Sequence, residues 1–387
     1  MSVWLLVAGD FTTHGGMDRA NYALASYLAT REDVHLVSHS VAPDLASMPR
    51  VTMHGVPRPL GAERFGEPIL RFTARRWQQR LADRQVRVVA NGGNVDAGDL
   101  NWVHYVHAAF TPEAAGTLNR ARVQSNHRRY LDQERQALTR ARVVICNSSR
   151  TAADVAETVG VPADRIRVVY YGTDPATFST VDDEARVSAR RALGLPHDRR
   201  LALFVGALGD RRKGFDTLFD AWRSLCASSD WDVDLVVAGT GAELASWRRR
   251  ASETLPGDRM RFLGFRRDMP NVFAACDVVV HPARYEAYGL AVHEALCRGL
   301  PAIVTTSAGV AEQYPMDLNA LLLDDPNSAA ELANRLRSWR SDSSLSPRIA
   351  GLAARLRSRT WDHMARDIAA IADGAGEARM TAAAGGM

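Results

Sequence analysis

The chain has 387 residues, 46% of them hydrophobic and 24% charged, which supports sizeable cores and is too long for one typical domain. A formal net charge of only +4, with no recognition motif beside it, argues against a nucleic-acid binder, and four scattered cysteines argue against a disulfide framework or a zinc ribbon. No run reaches the length of a membrane-spanning helix, and the opening Met1-Ser-Val-Trp-Leu-Leu-Val7 is short and lacks a basic lead, so a cytoplasmic protein is expected.

Residues 3–8 form a continuous apolar strand, and Ala20, Ala23, Leu24, Tyr27 and Leu28 then share one helical face. Residues 34–37, 87–90 and 102–106 read as further strands, and the second half repeats the series at 201–205, 233–238, 261–263, 278–280 and 302–305. Near-continuous apolar strands with helical crossovers predict parallel sheets covered on both faces, hence an α/β protein with two Rossmann-like doubly wound domains. Residues 173–196 lack a strand and carry mixed charge, which places the junction between a domain over 1–173 and another over 174–359. The small residues of 378–387 predict a disordered tail.

Arg71, Arg75, Arg76, Arg80 and Arg84 interleave with Phe72, Trp77 and Leu81. On a helix this is a basic amphipathic face. Two readings stay open: a peripheral contact with an anionic membrane at the inner face of the cell, or a solvated helix packed by its aromatic side.

Of 48 basic residues only Lys213 is a lysine. It lies in the loop Gly206-Ala-Leu-Gly-Asp-Arg-Arg-Lys-Gly214, directly after an apolar strand. A compact, mobile ammonium suits the oxygens of a phosphate that changes charge during a reaction, whereas arginine offers a rigid planar fork. About seventy residues on, Glu286-Ala-Tyr-Gly-Leu-Ala-Val-His-Glu294 joins a strand to a helix that ends before Gly299-Leu-Pro301. Gly289 falls where backbone N–H groups at a helix N-terminus would meet an anion. Two carboxylates flanking that turn suit hydroxyls on either side of a phosphate, as in a nucleotide sugar; a dipole-stabilising Glu with a solvated helical Glu is the plainer alternative.

The stretch 282–301 resembles the signature of two glutamates separated by seven residues in retaining glycosyltransferases of family 4, whose fold is GT-B: two Rossmann-like domains facing a central cleft. Other segments match in the expected order: His14-Gly-Gly16-Met-Asp, Val143-Val-Ile-Cys-Asn147-Ser-Ser, Ile166-Arg-Val-Val-Tyr-Tyr-Gly172-Thr-Asp174, Phe262-Leu-Gly264-Phe, Ala275-Cys-Asp277-Val and Trp361-Asp362. The last resembles a C-terminal helix, about 360–377, that crosses back to the first domain.

The resemblance implies transfer of a sugar from a UDP- or GDP-sugar to a hydroxyl acceptor (a saccharide, a lipid-linked acceptor or a small metabolite). It implies retention of configuration by front-face attack, with no cofactor and no metal. Carried over by position, Lys213 binds the diphosphate, Gly289 and Leu290 offer amides to the phosphates, and Glu294 accepts from the ribose; Arg211 or Arg212 could reach in from the Lys213 loop without being placed by the motif, and Arg212 is the donor-site candidate of the two. Glu286 meets the transferred sugar, and Gly16 closes on the diphosphate. His107 lies near the reacting sugar; in a strand His104 and His107 would face oppositely, and the strand-end position favours His107. Arg75, Arg76 and Arg80 are the candidates for acceptor or membrane. Two positions depart from the family. Ala207 stands where an arginine usually follows Gly206, and Val310 stands where a second glycine is frequent. Ala207 leaves room for a catalytically silent nucleotide-sugar-binding subunit, and the fold also serves sugar-nucleotide epimerases.

Overall fold

A computed structural model describes residues 3–95, 98–113 and 117–384. The chain divides into two compact units, one of Met1–Gly172 with Thr360–Met387 and one of Thr173–Arg359, so the boundary falls one residue before the expected position.

The first unit is built on a seven-stranded sheet. Its spatial order is Val51–Gly55, Asp33–Ser38, Val3–Val7, Val86–Asn91, Leu100–Val103, Val143–Cys146 and Ile166–Val168. Every adjacent pair is parallel. Val3–Val7 is buried along its whole length, as expected of an apolar strand covered on both faces. Gly16–Ala29 and Trp361–Ala384 are helices of this unit, and the Arg19 guanidinium lies 5.5 Å from the Trp361 ring centroid. Gly172 sits against the start of the second of these helices, where a β-carbon would meet the Thr360 carbonyl at 2.2 Å, so only glycine fits.

The second unit carries six parallel strands in the order Met260–Gly264, Val233–Ala238, Arg200–Val205, Val278–His281, Ala302–Thr305 and Leu322–Leu323. Its core includes Phe204, Trp222 and Phe219; Phe215 meets the Trp247 ring edge to face at 5.1 Å and lies tilted against Phe204 at 4.9 Å. Helix Asp183–Leu193 is capped by Asp182, closed by Gly194 at φ 63°, and anchored through Arg190 and Arg186 to the buried Asp277 carboxylate.

Two expectations need correction. Residues 378–384 were expected in a disordered tail, but the helix from Trp361 runs to Ala384, since alanine is the best helix former; residues 385–387 lie outside the described residues. The strand expected over 102–106 ends at Val103, and His107 instead opens a 3-10 turn, His107–Ala109. On the basic helix Glu63–Arg80, the period of 3.6 turns Leu70, Ala74 and Trp77 towards the sheet, and Leu81 just beyond it is buried. Trp77 stacks on His54 at 3.6 Å, and Phe72 alone of the interleaved apolar residues is exposed.

Candidate active site

In the second unit, three strand ends meet through glycine. A β-carbon on Gly239 would touch the Gly206 carbonyl oxygen at 1.9 Å, and one on Gly241 would touch that of Leu208 at the same distance. Gly214, at φ 68°, lies equally close to the Pro282 oxygen. These contacts bring the loops after Arg200–Val205, Val233–Ala238 and Val278–His281 together at the carboxyl ends of their strands, where open α/β sheets bind ligands.

Lys213 closes a short 3-10 turn, Arg211–Lys213, capped by the Asp210 carboxylate, which accepts from the Arg212 amide. Its ammonium donates to Glu286 Oε2 at 2.5 Å. His281, the last residue of its strand, places Nε2 3.0 Å from the same oxygen and is itself buried. Burial pushes the Glu286 carboxyl up, but the Lys213 charge and the His281 hydrogen bond outweigh it and hold the group well below the usual carboxylate range. The trio is thus an anionic oxygen between a cation and an imidazole. Lys213 and Glu286 are therefore neighbours, although seventy-three positions separate them in the chain.

Gly289 has φ 103° and precedes helix Leu290–Cys297, so Leu290 opens that helix. The turn before it is braced by the Gly309 and Val310 amides, which donate to the carbonyls of Glu286 and Tyr288. Val310 is fully buried and its Cγ1 would lie 3.1 Å from a β-carbon on Gly289, so the extra bulk at that position packs over the turn. Glu294, in the second turn of the helix, is buried. Beside it His293 bonds Tyr288 Oη at 2.9 Å, and burial lowers its pKa to about 4, helped by Arg359 and Arg355.

Arg212 turns elsewhere: its guanidinium grips the Asp210 carboxylate through Nε and Nη2. Ala207 is exposed. Asp232 and Asp234, which are spaced like a metal-binding pair, are engaged by Arg340 and by Arg199 with Arg259. Among the described residues no three His, Cys, Asp or Glu side chains gather as a metal site.

In the first unit, Gly16 opens helix Gly16–Ala29, preceded by Gly15 at φ 83°. The two histidines have separated. His104 is enclosed, with Nδ1 2.5 Å from Tyr171 Oη, and burial lowers its pKa to about 3, so the ring is neutral. His107 is half-buried, stacked on Tyr130 at 4.9 Å, and its backbone amide donates to Glu134. Glu134 also accepts from the Ala108 amide; burial raises its pKa to about 7 against these two bonds. Arg75, Arg76 and Arg80 are exposed, and Arg80 lies over the Trp77 ring at 5.0 Å.

Two family profiles match nearly end to end: Glycosyltransferase Family 4 over residues 14–177 and Glycosyl transferases group 1 over residues 186–356. The chain belongs to the group 1 glycosyltransferases of family 4. The D-inositol 3-phosphate glycosyltransferase of Corynebacterium urealyticum is 30% identical over 256 residues, covering 63% of this chain and 59% of that relative. The chain thus spans a little over half the length of the curated relatives it matches. The solved structure of WaaG, a glycosyltransferase involved in lipopolysaccharide biosynthesis, superimposes with a TM-score of 0.76 at 22% identity, covering 97% of this chain and all of the other. Anabaena HepE, solved with UDP-glucose, gives a TM-score of 0.72 at 20% identity, again over 97% of this chain and all of that one. The fold is GT-B.

Of the residues that the sequence singles out in this glycosyltransferase, Lys213 and Glu286 meet directly, and Gly289, Leu290 and Glu294 follow Glu286 in the turn and helix after its strand. The sequence passed over His281, Arg284 and Asp216. His281 carried one usable signal, a histidine directly after the strand expected over 278–280 and directly before proline. Arg284 and Asp216 looked like ordinary surface charges.

Proposed function

We propose that this glycosyltransferase moves a sugar from a UDP- or GDP-sugar to a hydroxyl acceptor, with retention of anomeric configuration and without a metal. The convergence of Lys213 and His281 on Glu286, beside the Gly289 helix start, carries the reading. Lys213 meets the diphosphate oxygens and the helix N-terminus adds backbone N–H groups, which together offset the negative charge of the leaving group. Glu286 and Glu294 accept hydrogen bonds from sugar and ribose hydroxyls respectively. The anomeric carbon–oxygen bond to phosphate breaks, the acceptor oxygen bonds to that carbon on the same face, and the acceptor proton passes to the departing phosphate oxygen. Gly16 and His107 are assigned to the substrates from the first unit. Arg75, Arg76 and Arg80 are assigned to a phosphorylated or lipid-linked acceptor at a membrane surface. The likeness to HepE, solved with UDP-glucose, supports a UDP-sugar donor.

A second reading has its own observation. Ala207 is exposed and the Arg212 guanidinium is engaged by Asp210, which favours a subunit that binds nucleotide sugar with little turnover.

A thermal-shift panel of UDP, GDP, ADP and dTDP with their common sugars, with and without magnesium, tests both. At a hundred times Kd a ligand adds about 2.7 kcal/mol, a rise of a few degrees. A metal-independent rise with one nucleotide supports the donor site, and turnover of its sugar separates transferase from silent subunit. A rise that requires magnesium overturns metal independence.

A further inference from the structure

Lys213 and Glu286 lie on separate loops, and a single side chain ties those loops together. The Arg284 Nη1 donates to the Arg211 carbonyl at 2.6 Å and to Asp216 Oδ1 at 2.8 Å. Its Nη2 donates to Asp216 Oδ2 at 2.9 Å and to Thr217 Oγ1 at 3.1 Å, and Nε donates to Asn327 Oδ1 at 2.7 Å. Its backbone amide donates to the Arg212 carbonyl at 2.7 Å. Asp216, in the first turn of helix Phe215–Cys226, also accepts from Arg211. Burial raises the Asp216 pKa, but Arg284 and Arg211 outweigh it and keep the carboxyl below its ordinary value.

We propose that Arg284 is a positioning residue for the nucleoside diphosphate site, holding the Lys213 turn in register with the Glu286 loop through Asp216 and the Arg211 and Arg212 carbonyls. The proposal rests on the donor-site reading of Lys213. Arginine is required because only a planar fork reaches a carboxylate bidentately while still donating to a carbonyl; a lysine ammonium in the same place cannot make both sets. The lysine turn is three residues long and passes through Gly214, at φ 68°, into helix Phe215–Cys226, so its position depends on the bonds that reach it from the Glu286 loop. A displacement of about 1 Å at such a group is enough to cost about a hundredfold in a reaction it serves. Arg284 acts through the turn and has no assigned contact with the reacting atoms.

The test measures binding of UDP and UMP, and of GDP and GMP, to the full chain and to Lys213→Ala, Arg284→Lys, Arg284→Ala and Asp216→Asn, with the ligand-free melting temperature of each. Arg284→Lys and Asp216→Asn keep nearly the parent volume, which Arg284→Ala does not. The expected result is a rise of about tenfold or more in Kd for the diphosphate in Arg284→Lys and Asp216→Asn, with monophosphate binding changed less than about twofold. A merely structural role would weaken both nucleotides alike, and that outcome overturns the proposal. Diphosphate binding that falls in Lys213→Ala but stays at the wild-type level in both conservative variants also overturns it, while sparing the donor site. If neither diphosphate binds the unaltered chain, or if Lys213→Ala binds as tightly, the donor-site reading itself fails and the inference fails with it.

Discussion

Lys213 shows how far a single residue can be interpreted. Its singularity among 48 basic residues marked it, and its position after a buried strand pointed to an anion. What the folded chain adds is the partner: Glu286, at 2.5 Å, which in turn takes His281. Lys213→Ala is expected to lower donor turnover by about a hundredfold to a thousandfold, the range for removing one pre-set donor from a developing anion. Glu286 then keeps its His281 hydrogen bond but loses its counter-charge, so a modest fall in melting temperature with the fold retained is expected; normal turnover in this variant would remove the central claim. The histidines make a second case at this scale. His107 is half-exposed and stacked on Tyr130, while His104 is enclosed and neutral. His107→Ala should therefore lower kcat more than it weakens nucleotide binding, and steady-state kinetics beside a binding titration will separate the two effects. A loss confined to His104→Ala would reverse the assignment.

At the scale of elements, charge is used to anchor helices as well as to bind. The Asp277 carboxylate accepts from Arg190 at 2.7 Å, from the Leu201 amide at 2.7 Å and from Arg186 at 3.1 Å. Arg190 and Asp277 are both almost wholly buried, so removing the carboxylate leaves a guanidinium with neither water nor counter-charge. Asp277→Ala is expected to cost about 3–5 kcal/mol of stability to denaturant unfolding, with the midpoint falling. This network joins helix Asp183–Leu193 to the starts of two strands, at the opposite end of the sheet from Lys213. The basic helix Glu63–Arg80 teaches the complementary lesson. The alternation of arginine and aromatic residues was legible, but which of them face the sheet depends on where the helix packs, and Trp77 went to His54 while Phe72 stayed outside.

For the molecule as a whole, acid stability sums groups of opposite sign. Burial lowers His104 to about 3, and His54 and His293 each to about 4, from an ordinary 6.5. These imidazoles take up fewer protons when folded, so their contribution is complete above pH 6.5 and is lost as the pH falls towards 4. Glu134 works the other way: raised from 4.5 to about 7, it favours the folded state below 4.5, and that advantage disappears as the pH rises through 7. The three histidines outweigh one carboxyl, so stability should fall between pH 6.5 and 4. Removing the carboxyl titration with Glu134→Gln should make that fall steeper, as measured by urea midpoints across the range. An unchanged fall would mean that Glu134 titrates near its ordinary value.

Much of the architecture follows from the sequence alone. Runs such as residues 201–205 and 278–280 are apolar on both faces, as strands of a parallel sheet covered on both sides are. The motifs carried by Gly16, Lys213, Glu286, Gly289 and Glu294 resemble those of the glycosyltransferase family before any coordinate, and for Lys213 and the turn from Glu286 to Glu294 the residue chemistry separately points to a phosphate. The tertiary structure alone decided the company these residues keep. His281 and Arg284 are far from Lys213 in sequence and came near its turn only when loops met across glycines with no room for a β-carbon, while Asp216, three residues on, is ordinary in type until Arg284 reaches it. The same holds for His104 and His107: a strand that stops at Val103 cannot be ruled by strand alternation, and where it stops depends on pairing with Val143–Cys146. Local pattern sets which elements form, whereas the distance between two side chains is set by packing between elements that the chain order does not record.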